Sequence, residues 1–397
     1  MPESACCSRV VNLNSVKLSA GSLDSANPSA ANEDANLNAA SQIGAGWGAA
    51  GLEAVKEYYG KTLRDKAGLQ TKACCCAESI PAAHRAILAE IDEEILNRFY
   101  GCGSPLPPAL EGCTVLDLGC GSGRDVYLAS RLVGPEGFVI GVDMTGEQLE
   151  VARRHQDSQA RRFGWTRSNV DFRQGYMEDL AAVGIGDNSV DVVISNCVIN
   201  LSPAKERVFA EIFRVLKPGG EVYFSDVFAG RRLPAHLRHD PILHEECMGG
   251  ALYIEDFRRL LRGLGCMDYR VVSRSRISIG NPEIEARAGM VDFYSMTVRA
   301  FKLACLEDIC EDYGQVAYYQ GGINDQPFQF TLDDHHTFTL GKPMLVCGNT
   351  AAMVEETRFG RYFKVAGDRS VHYGAFDCSP AAGVHPAEGA CGGGSCC

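Results

Sequence analysis

Short apolar runs alternate with amphipathic segments between Thr114 and about Phe228. The apolar runs predict five strands: Thr114–Leu118, Phe138–Val142, Val170–Gln174, Val190–Asn196 and Glu221–Val227. The segments between them predict three helices: Arg124–Leu132, Gly146–His155 and Lys205–Leu216, the last ending at Lys217-Pro-Gly-Gly. Strands that are apolar on both faces are typical of a parallel sheet covered by helices. We therefore predict an α/β fold with a doubly wound, mostly parallel sheet and a ligand site at the carboxyl ends of its strands.

The flanking segments suggest further units. A helix is predicted to start within Leu52–Tyr59, and a longer one spans Pro81–Tyr100. Beyond the sheet region, Ile254–Leu264 reads as a helix and Tyr269–Ile279 as a strand. The predicted organisation is a disordered leader (1–51), the α/β domain with N-terminal helices (52–229), a second region (230–300), a small C-terminal domain (301–378) and a disordered tail rich in Cys and Gly (379–397).

Composition narrows the range of functions. The chain has 397 residues and a formal net charge of -12, which disfavours binding to nucleic acid or to an anionic membrane surface. No apolar run approaches the roughly 18–20 residues that span a bilayer. The first fifty residues lack the apolar core of a signal peptide. We expect a cytoplasmic, monomeric enzyme acting on small molecules, with most of its 18 cysteines reduced.

A glycine-rich loop follows the first predicted strand. Gly119, Gly121 and Gly123 open the next helix, and glycine allows the backbone to come close to a ligand. Their spacing differs from the dinucleotide pattern G-x-G-x-x-G. Asp117, two residues earlier, suits the cationic methionyl end of S-adenosylmethionine (SAM). We therefore predict a SAM site.

Further SAM contacts are expected along the same edge of the sheet. Asp143 ends the second strand, where a carboxylate accepts hydrogen bonds from ribose hydroxyls. Residues 176–180 follow the third strand and are expected to flank the adenine, and Asn196 ends the fourth. The complete predicted set is Asp117, Gly119, Cys120, Gly121, Ser122, Gly123, Arg124, Asp143, Met144, Met177, Glu178 and Asn196.

Five further motifs make the chain similar to a known family. They are YYGK (58–61), LQTKAC (69–74), RFYGCGSP (98–105), SNCVIN (195–200) and HEECMGGA (244–251). With the glycine-rich loop, they resemble the arsenite SAM methyltransferases over about residues 52–264. The resemblance implies a Rossmann-like methyltransferase domain, an arsenite-binding region over 230–300 and a role in arsenic detoxification.

The resemblance also implies roles for four cysteines. Cys197 and Cys247 would hold trivalent arsenic throughout the cycle, with Cys102 as the third ligand. Cys74 would be the redox partner of Cys102, although Cys75 and Cys76 are alternatives because the three cysteines are consecutive. Thiolates bind soft ions such as trivalent arsenic. The implied substrate is arsenite or its thiol conjugates, methylated to methyl- and dimethylarsenicals, with thioredoxin or glutathione reducing the disulfide that forms.

The other cysteines have no metal-binding spacing. Cys120 is expected to pack under SAM. Core packing is the prediction for Cys113, Cys266, Cys305, Cys310, Cys347 and Cys378. The terminal cysteines, Cys6-Cys7 and Cys391 with Cys396-Cys397, are interpreted as parts of dispensable tails. The alternatives are capture and delivery of arsenicals, or a role as disulfide traps. His335 and His336, beside Asp333 and Asp334, are interpreted as a solvated turn rather than a metal site.

Two other functions remain open from the sequence. One is methylation of a carbon or oxygen acceptor, for which His239 or His244 would serve as general base. The other is a thiol-rich buffer for soft metals, which explains the cysteine content but not the glycine-rich loop.

Overall fold

The structure is a computed structural model that describes residues 53, 56–57, 80–99, 101, 105–238, 240, 243 and 247–378. Its main sheet contains β1 (Thr114–Leu118), β2 (Phe138–Asp143), β3 (Val170–Gln174), β4 (Val190–Asn196), β5 (Leu216–Ala229), β6 (Leu252–Tyr253), β7 (Tyr269–Arg276) and β8 (Phe293–Phe301). The strand order is β3-β2-β1-β4-β5-β8-β7, with the short β6 also paired to β5. Strands β1 to β6 pair in parallel, whereas β8 runs antiparallel to β5 and to β7. The predicted mostly parallel, doubly wound sheet is therefore confirmed.

Helices cover both faces of this sheet. They are α1 (Ala82–Leu88), α2 (Glu93–Asn97), α3 (Arg124–Val133), α4 (Gly146–Arg154), α5 (Gln156–Arg162), α6 (Lys205–Val215), α7 (Ala235–Arg238), α8 (Ile254–Gly263) and α9 (Pro282–Ala288). Alternate residues of β1 enter different cores: Val115 packs in the cluster that contains α3, and Leu116 in the one that contains α6. This two-sided burial explains why the strands are apolar at nearly every position.

Two predicted elements are wrong in their extent. The single helix over Pro81–Tyr100 is two helices, because the Asp92 side chain accepts a hydrogen bond from the Glu94 backbone N–H (3.0 Å) and caps a new helix start. The predicted break at Lys217-Pro-Gly-Gly lies inside β5. The strand accommodates these residues through a shift in its pairing register with β4: Val190 pairs with Leu216, but Val192 pairs with Glu221.

The region 230–300 is not separate from the α/β domain. Its strands β7 and β8 complete the main sheet, and β8 pairs with β5 from Glu221↔Phe301 to Ala229↔Phe293. This pairing covers the edge of β5 that would otherwise be open to pairing with another chain. The predicted boundary at residue 229 therefore crosses a continuous sheet.

A smaller unit follows β8. It contains β9 (Glu311–Asp312), β10 (Gln315–Tyr319), β11 (Gln329–Thr331), β12 (Thr337–Thr339), β13 (Pro343–Val346), α10 (Gly348–Glu355), β14 (Phe363–Ala366) and β15 (Gly374–Ala375). The order β13-β10-β14 forms its central sheet. Its aromatic core includes Phe330, Phe338 and Phe363. Fully buried Glu221 of β5 joins the units through ion pairs with Arg299 and Arg358, both at 2.5 Å.

Candidate active site

A cleft opens where the strand order reverses, between the carboxyl ends of β1 and β4. This switch point is where doubly wound folds bind their ligands. The cleft encloses about 970 Å³ of space that continues into solvent. Its walls come from the segments after β1, β2, β3 and β4, as the sequence pattern predicts.

The glycine-rich loop forms the floor of the cleft. The backbone N–H groups of Gly119 and Cys120 both donate to the Val142 carbonyl, at 2.8 and 3.1 Å. Gly119 has a φ of +70°, and a Cβ there would lie 2.8 Å from the Cβ of Val198 and closer still to its methyl groups. Only glycine therefore allows the β1 and β4 loops to approach each other here.

Three carboxylates gather beneath this loop. The Asp143 side chain accepts hydrogen bonds from the N–H groups of Gly121 and Thr145, both at 2.8 Å. Burial raises the pKa of Asp117 well above its ordinary value, and the nearby charges of Asp125 and Asp143 raise it further. Burial also raises the pKa of Asp143. A cationic ligand in the cleft would relieve this repulsion, so the site fits the positively charged SAM.

Ten of the twelve predicted SAM contacts lie in the wall of the cleft: Asp117, Gly119, Cys120, Gly121, Ser122, Asp143, Met144, Met177, Glu178 and Asn196. Gly123 and Arg124 do not line it. Gly123 is instead the N-cap residue directly before α3, with a φ of 90°. Arg124 is buried, pairs with Asp125 at 2.7 Å and lies over the Phe99 ring at 3.2 Å.

Several wall residues escaped the sequence analysis. Asp125 accepts a hydrogen bond from the Asn196 side-chain amide at 3.0 Å, which fixes that amide in the cleft. Phe99, Thr145, Gln148 and Val198 also line it. The position of Asp125, as an acidic residue in the first turn of the helix after the glycine-rich loop, could have indicated its place in the wall.

Cys197 and Cys247 lie against each other at the cleft. Cys197 lines the wall, and the Cys247 Sγ donates to the Cys197 backbone carbonyl at 3.1 Å. Both residues have left-handed backbones, with φ values of 56° and 62°. Such values are uncommon outside glycine and cluster at functional sites. Cys197 is disulfide-bonded.

A buried polar network holds the two cysteine loops. The Asn200 side-chain amide donates to the Asp226 carboxylate (2.7 Å), the Val227 carbonyl (2.6 Å) and the Cys247 carbonyl (3.4 Å). Burial raises the pKa of Asp226 to about 7. Burial also lowers the pKa of Lys205, which donates to the Asn200 carbonyl at 3.1 Å, to about 8.

Gly250 explains how close the Cys247 loop can come. A Cβ at Gly250 would overlap the Asn200 carbonyl oxygen and lie 2.8 Å from the carbonyl carbon. Glycine at position 250 therefore lets the backbone after Cys247 approach the Asn200 backbone closely.

Some predicted residues lie outside the described part of the chain. They are Cys74 with its neighbours Cys75 and Cys76, Cys102, His239, His244, and the terminal cysteines Cys6, Cys7, Cys391, Cys396 and Cys397. Their predicted roles stay predictions.

Core packing is the correct prediction for Cys113, Cys266 and Cys347, which are all buried, but not for Cys310 and Cys378, which are half-buried. The Sγ atoms of Cys310, Cys347 and Cys378 lie within 4.8 Å of one another. Spacing gave no hint of this, because the fold joins segments 37 and 31 residues apart. Cys305 is half-buried rather than in the core.

The solvated-turn interpretation of residues 333–336 is also partly wrong. Asp334 and His335 are exposed, but Asp333 and His336 are buried and hydrogen-bonded to each other at 2.8 Å. Asp333 also pairs with buried Arg270 at 3.2 Å. This ion pair accounts for the burial of Asp333, together with His336 bonded to it.

Family comparisons agree with this geometry. Residues 109–265 match the family described as "Methyltransferase domain", and residues 312–397 match "Arsenite methyltransferase C-terminal domain". In the part of the chain that the structure describes, no helix is long and apolar enough to cross a membrane. With the sheet order and the cleft, these matches define a SAM-dependent methyltransferase. The hypothesis of a non-catalytic thiol buffer is therefore wrong.

Relatives identify the family within that class. The chain is 51% identical to the arsenite methyltransferase of Aquipseudomonas alcaligenes, over 82% of this chain and 93% of that protein. It is 41% identical to the Homo sapiens arsenite methyltransferase, over 78% and 82%. An arsenic(III) SAM methyltransferase structure from Chlamydomonas reinhardtii has a TM-score of 0.74 and 52% identity, covering 75% of this chain and all of that one. The chain belongs to the arsenite methyltransferase family, which confirms the predicted resemblance.

Proposed function

We propose that this protein methylates trivalent arsenic with SAM, holding the arsenic on cysteine thiolates at the mouth of the cleft. The observation that carries the proposal is the contact between Cys247 and Cys197. One of these residues lines the methyl-donor cleft, and the other places its sulfur 3.1 Å from the first residue's backbone carbonyl. The relatives named as arsenite methyltransferases support the same acceptor.

The chain's contribution is to bind and orient the arsenic. Arsenite or its thiol conjugate exchanges its ligands for the thiolates of Cys197 and Cys247, with Cys102 as the proposed third. Bound SAM supplies an electrophilic methyl group, which the arsenic lone pair takes up. Because the lone pair carries no proton, the protein needs no general base. Proximity and orientation of this kind are worth up to roughly 7–11 kcal/mol in favourable cases.

The electrons must balance. The methyl group leaves the sulfonium without its bonding pair, so arsenic is formally oxidised from the trivalent to the pentavalent state. Two thiolates, proposed as Cys74 and Cys102, return two electrons by forming a disulfide. Cys75 and Cys76 remain alternatives to Cys74. Thioredoxin or glutathione then reduces the disulfide through thiol exchange.

The disulfide at Cys197 adds a requirement to this cycle. A sulfur bonded to another sulfur cannot serve as an arsenic ligand, so this bond must be reduced before arsenite binds. We therefore expect a lag in methylation when oxidised protein is mixed with arsenite and SAM. Preincubation with a dithiol should remove the lag, and identical time courses with and without preincubation would contradict this requirement.

The function is tested by incubating the protein with SAM, arsenite and a dithiol and speciating the arsenic by chromatography. We expect mono- and dimethylarsenicals. Absence of methylated arsenic, with methyl transfer to another acceptor, would overturn the proposal.

Cysteine variants test the residue roles. Cys197→Ser and Cys247→Ser should abolish every methylation step, since serine oxygen is a poor ligand for soft arsenic. Cys74→Ser and Cys102→Ser should stop the first step while added monomethylarsenite is still converted. Buried Cys113→Ser serves as the control away from the cleft. Full activity of Cys197→Ser on both substrates would show that the site is elsewhere.

A further inference from the structure

The cysteines of the C-terminal unit form a second group of convergent thiols. Cys347 is fully buried and precedes α10, while Cys310 and Cys378 are half-buried. Their Sγ atoms all lie within 4.8 Å of one another. None of the three lines the SAM cleft. Because they come from three distant segments, this convergence is a product of the tertiary fold.

The surroundings favour a negatively charged sulfur at Cys347. The Thr350 backbone N–H, in the first turn of α10, donates to the Cys347 Sγ at 3.4 Å, and the Thr350 hydroxyl lies at 3.2 Å. The Arg270 guanidinium approaches the same sulfur at 3.8 Å. Thiolate is the form that binds soft ions.

The local charge balance separates the possible ligands. Arg270 pairs with two carboxylates, Asp268 at 2.7 Å and Asp333 at 3.2 Å, so its charge is already offset before the thiolates are counted. Three thiolates around a divalent cation would leave one more negative charge in this buried place. Three thiolates around trivalent arsenic form a neutral complex, which avoids the cost of burying an unpaired charge.

The number of ligands points the same way. Within the described residues, the group offers three thiols and no fourth His, Cys, Asp or Glu ligand at comparable distance. Structural zinc sites use four protein ligands, and a zinc ion here would need water in its fourth position. Trivalent arsenic is satisfied by three sulfurs, because its lone pair occupies the remaining position.

We propose that Cys310, Cys347 and Cys378 form a second binding site for trivalent arsenic, in the C-terminal unit and apart from the methyl-donor cleft. Binding of arsenous acid replaces three As–O bonds with three As–S bonds and releases three waters. Two of the protons needed come from the Cys310 and Cys378 thiols, and the third comes from solvent if Cys347 is already a thiolate. No oxidation or reduction is involved. Because Cys310 and Cys378 are only half-buried residues, arsenic can reach the group from solvent.

The test uses the full chain carrying Cys197→Ser, which disables the proposed catalytic site, kept reduced with a phosphine and without SAM. Arsenite is added, the protein is desalted, and arsenic per chain is measured by mass spectrometry. Adding Cys310→Ser or Cys378→Ser should lower the stoichiometry by a single arsenic per chain. Adding Cys305→Ser, a half-buried cysteine of the same unit outside the group, should not change it. Arsenic X-ray absorption should show three sulfur neighbours lost with the same variants.

Unchanged stoichiometry in both Cys310→Ser and Cys378→Ser would overturn the proposal. So would a parallel incubation with Zn²⁺ alone in which zinc is held through these cysteines and arsenite fails to displace it. Thermal melting and SAM affinity check that the variants fold. Because this measurement needs no turnover, its outcome is independent of the proposed methylation. Loss of methylation in the Cys197→Ser protein alone, with this arsenic still bound, would separate the two sites.

Discussion

The sharpest prediction concerns Gly250, which lies three residues beyond the proposed arsenic ligand Cys247. In Gly250→Ala, the added methyl would overlap the Asn200 carbonyl oxygen and lie 2.8 Å from its carbon. Ordinary contact begins near 3.4 Å, so the backbones must separate by at least 0.6 Å at the carbon and further at the oxygen. Neither partner is a flexible side chain, so rotamer changes cannot relieve the overlap.

Separation of the Gly250 and Asn200 backbones changes the geometry of the proposed arsenic site. Asn200 donates to the Cys247 carbonyl, and the Cys247 sulfur donates to the Cys197 carbonyl at 3.1 Å. A displacement approaching 1 Å in such a constellation costs about 100-fold in rate. We therefore expect kcat/KM for arsenite methylation to fall about 100-fold in Gly250→Ala, which corresponds to about 2.7 kcal/mol.

The assay is initial-rate methylation of arsenite, with SAM affinity measured separately by calorimetry. SAM binding should be unchanged, because Gly250 does not line the cleft. Gly263→Ala is the matched control, since a Cβ there meets nothing within 4 Å. Wild-type kcat/KM in a correctly folded Gly250→Ala protein would refute the argument that this close approach positions Cys247.

Three other predictions test the fold and the electrostatics of the site. Glu221→Gln should lower the free energy of unfolding, measured by urea titration, by about 3–5 kcal/mol, because it leaves buried Arg299 without its carboxylate. The control is Glu255→Gln, in a half-exposed ion pair, which should change the free energy of unfolding by less than about 1 kcal/mol. Asp226 has a native pKa of about 7 against an ordinary 3.8, so between these values the native state binds more protons than the unfolded state. The contribution of Asp226 to the free energy of unfolding should therefore fall as pH rises from 4 to 7. The difference in this free energy between wild type and Asp226→Asn should follow the same trend, and a difference that does not change with pH would contradict the prediction. SAM binding should release protons from the raised-pKa Asp117, giving calorimetric heats that depend on buffer ionisation enthalpy in the wild type but much less in Asp117→Asn.

The parts of the fold that sequence predicted well depend on short-range pattern. The strands β1, β3 and β4 have their predicted bounds, because each is a brief apolar run followed by glycine, turn residues or the motif after β4. The carboxyl ends of parallel strands meet at one edge, so Asp117, Asp143 and Asn196 could be placed in one cleft. For these three residues, the local sequence and the topology of the sheet together determine their position in the cleft.

What escaped prediction depends on long-range packing. Arg270 and Asp333 are 63 residues apart, and neither position shows in the sequence that a buried ion pair will form. Glu221 looks like an exposed strand residue until β8 and the C-terminal unit bring Arg299 and Arg358 onto it. The Cys310, Cys347 and Cys378 group has the same origin. Such contacts depend on how distant segments pack together, and the hydrophobic periodicity of a single segment does not predict them.

The left-handed backbones of Cys197 and Cys247 connect the fold to the proposed chemistry. A non-glycine residue in this conformation costs of order 1–3 kcal/mol, so two adjacent ones persist only when their surroundings impose them. The Asn200 amide, held by buried Asp226, and the close approach at Gly250 supply that constraint. A cysteine moved to a neighbouring position would keep its chemistry but lose this backbone geometry. The proposed arsenic site therefore depends on the backbone conformation that orients the two sulfurs as much as on the sulfurs themselves.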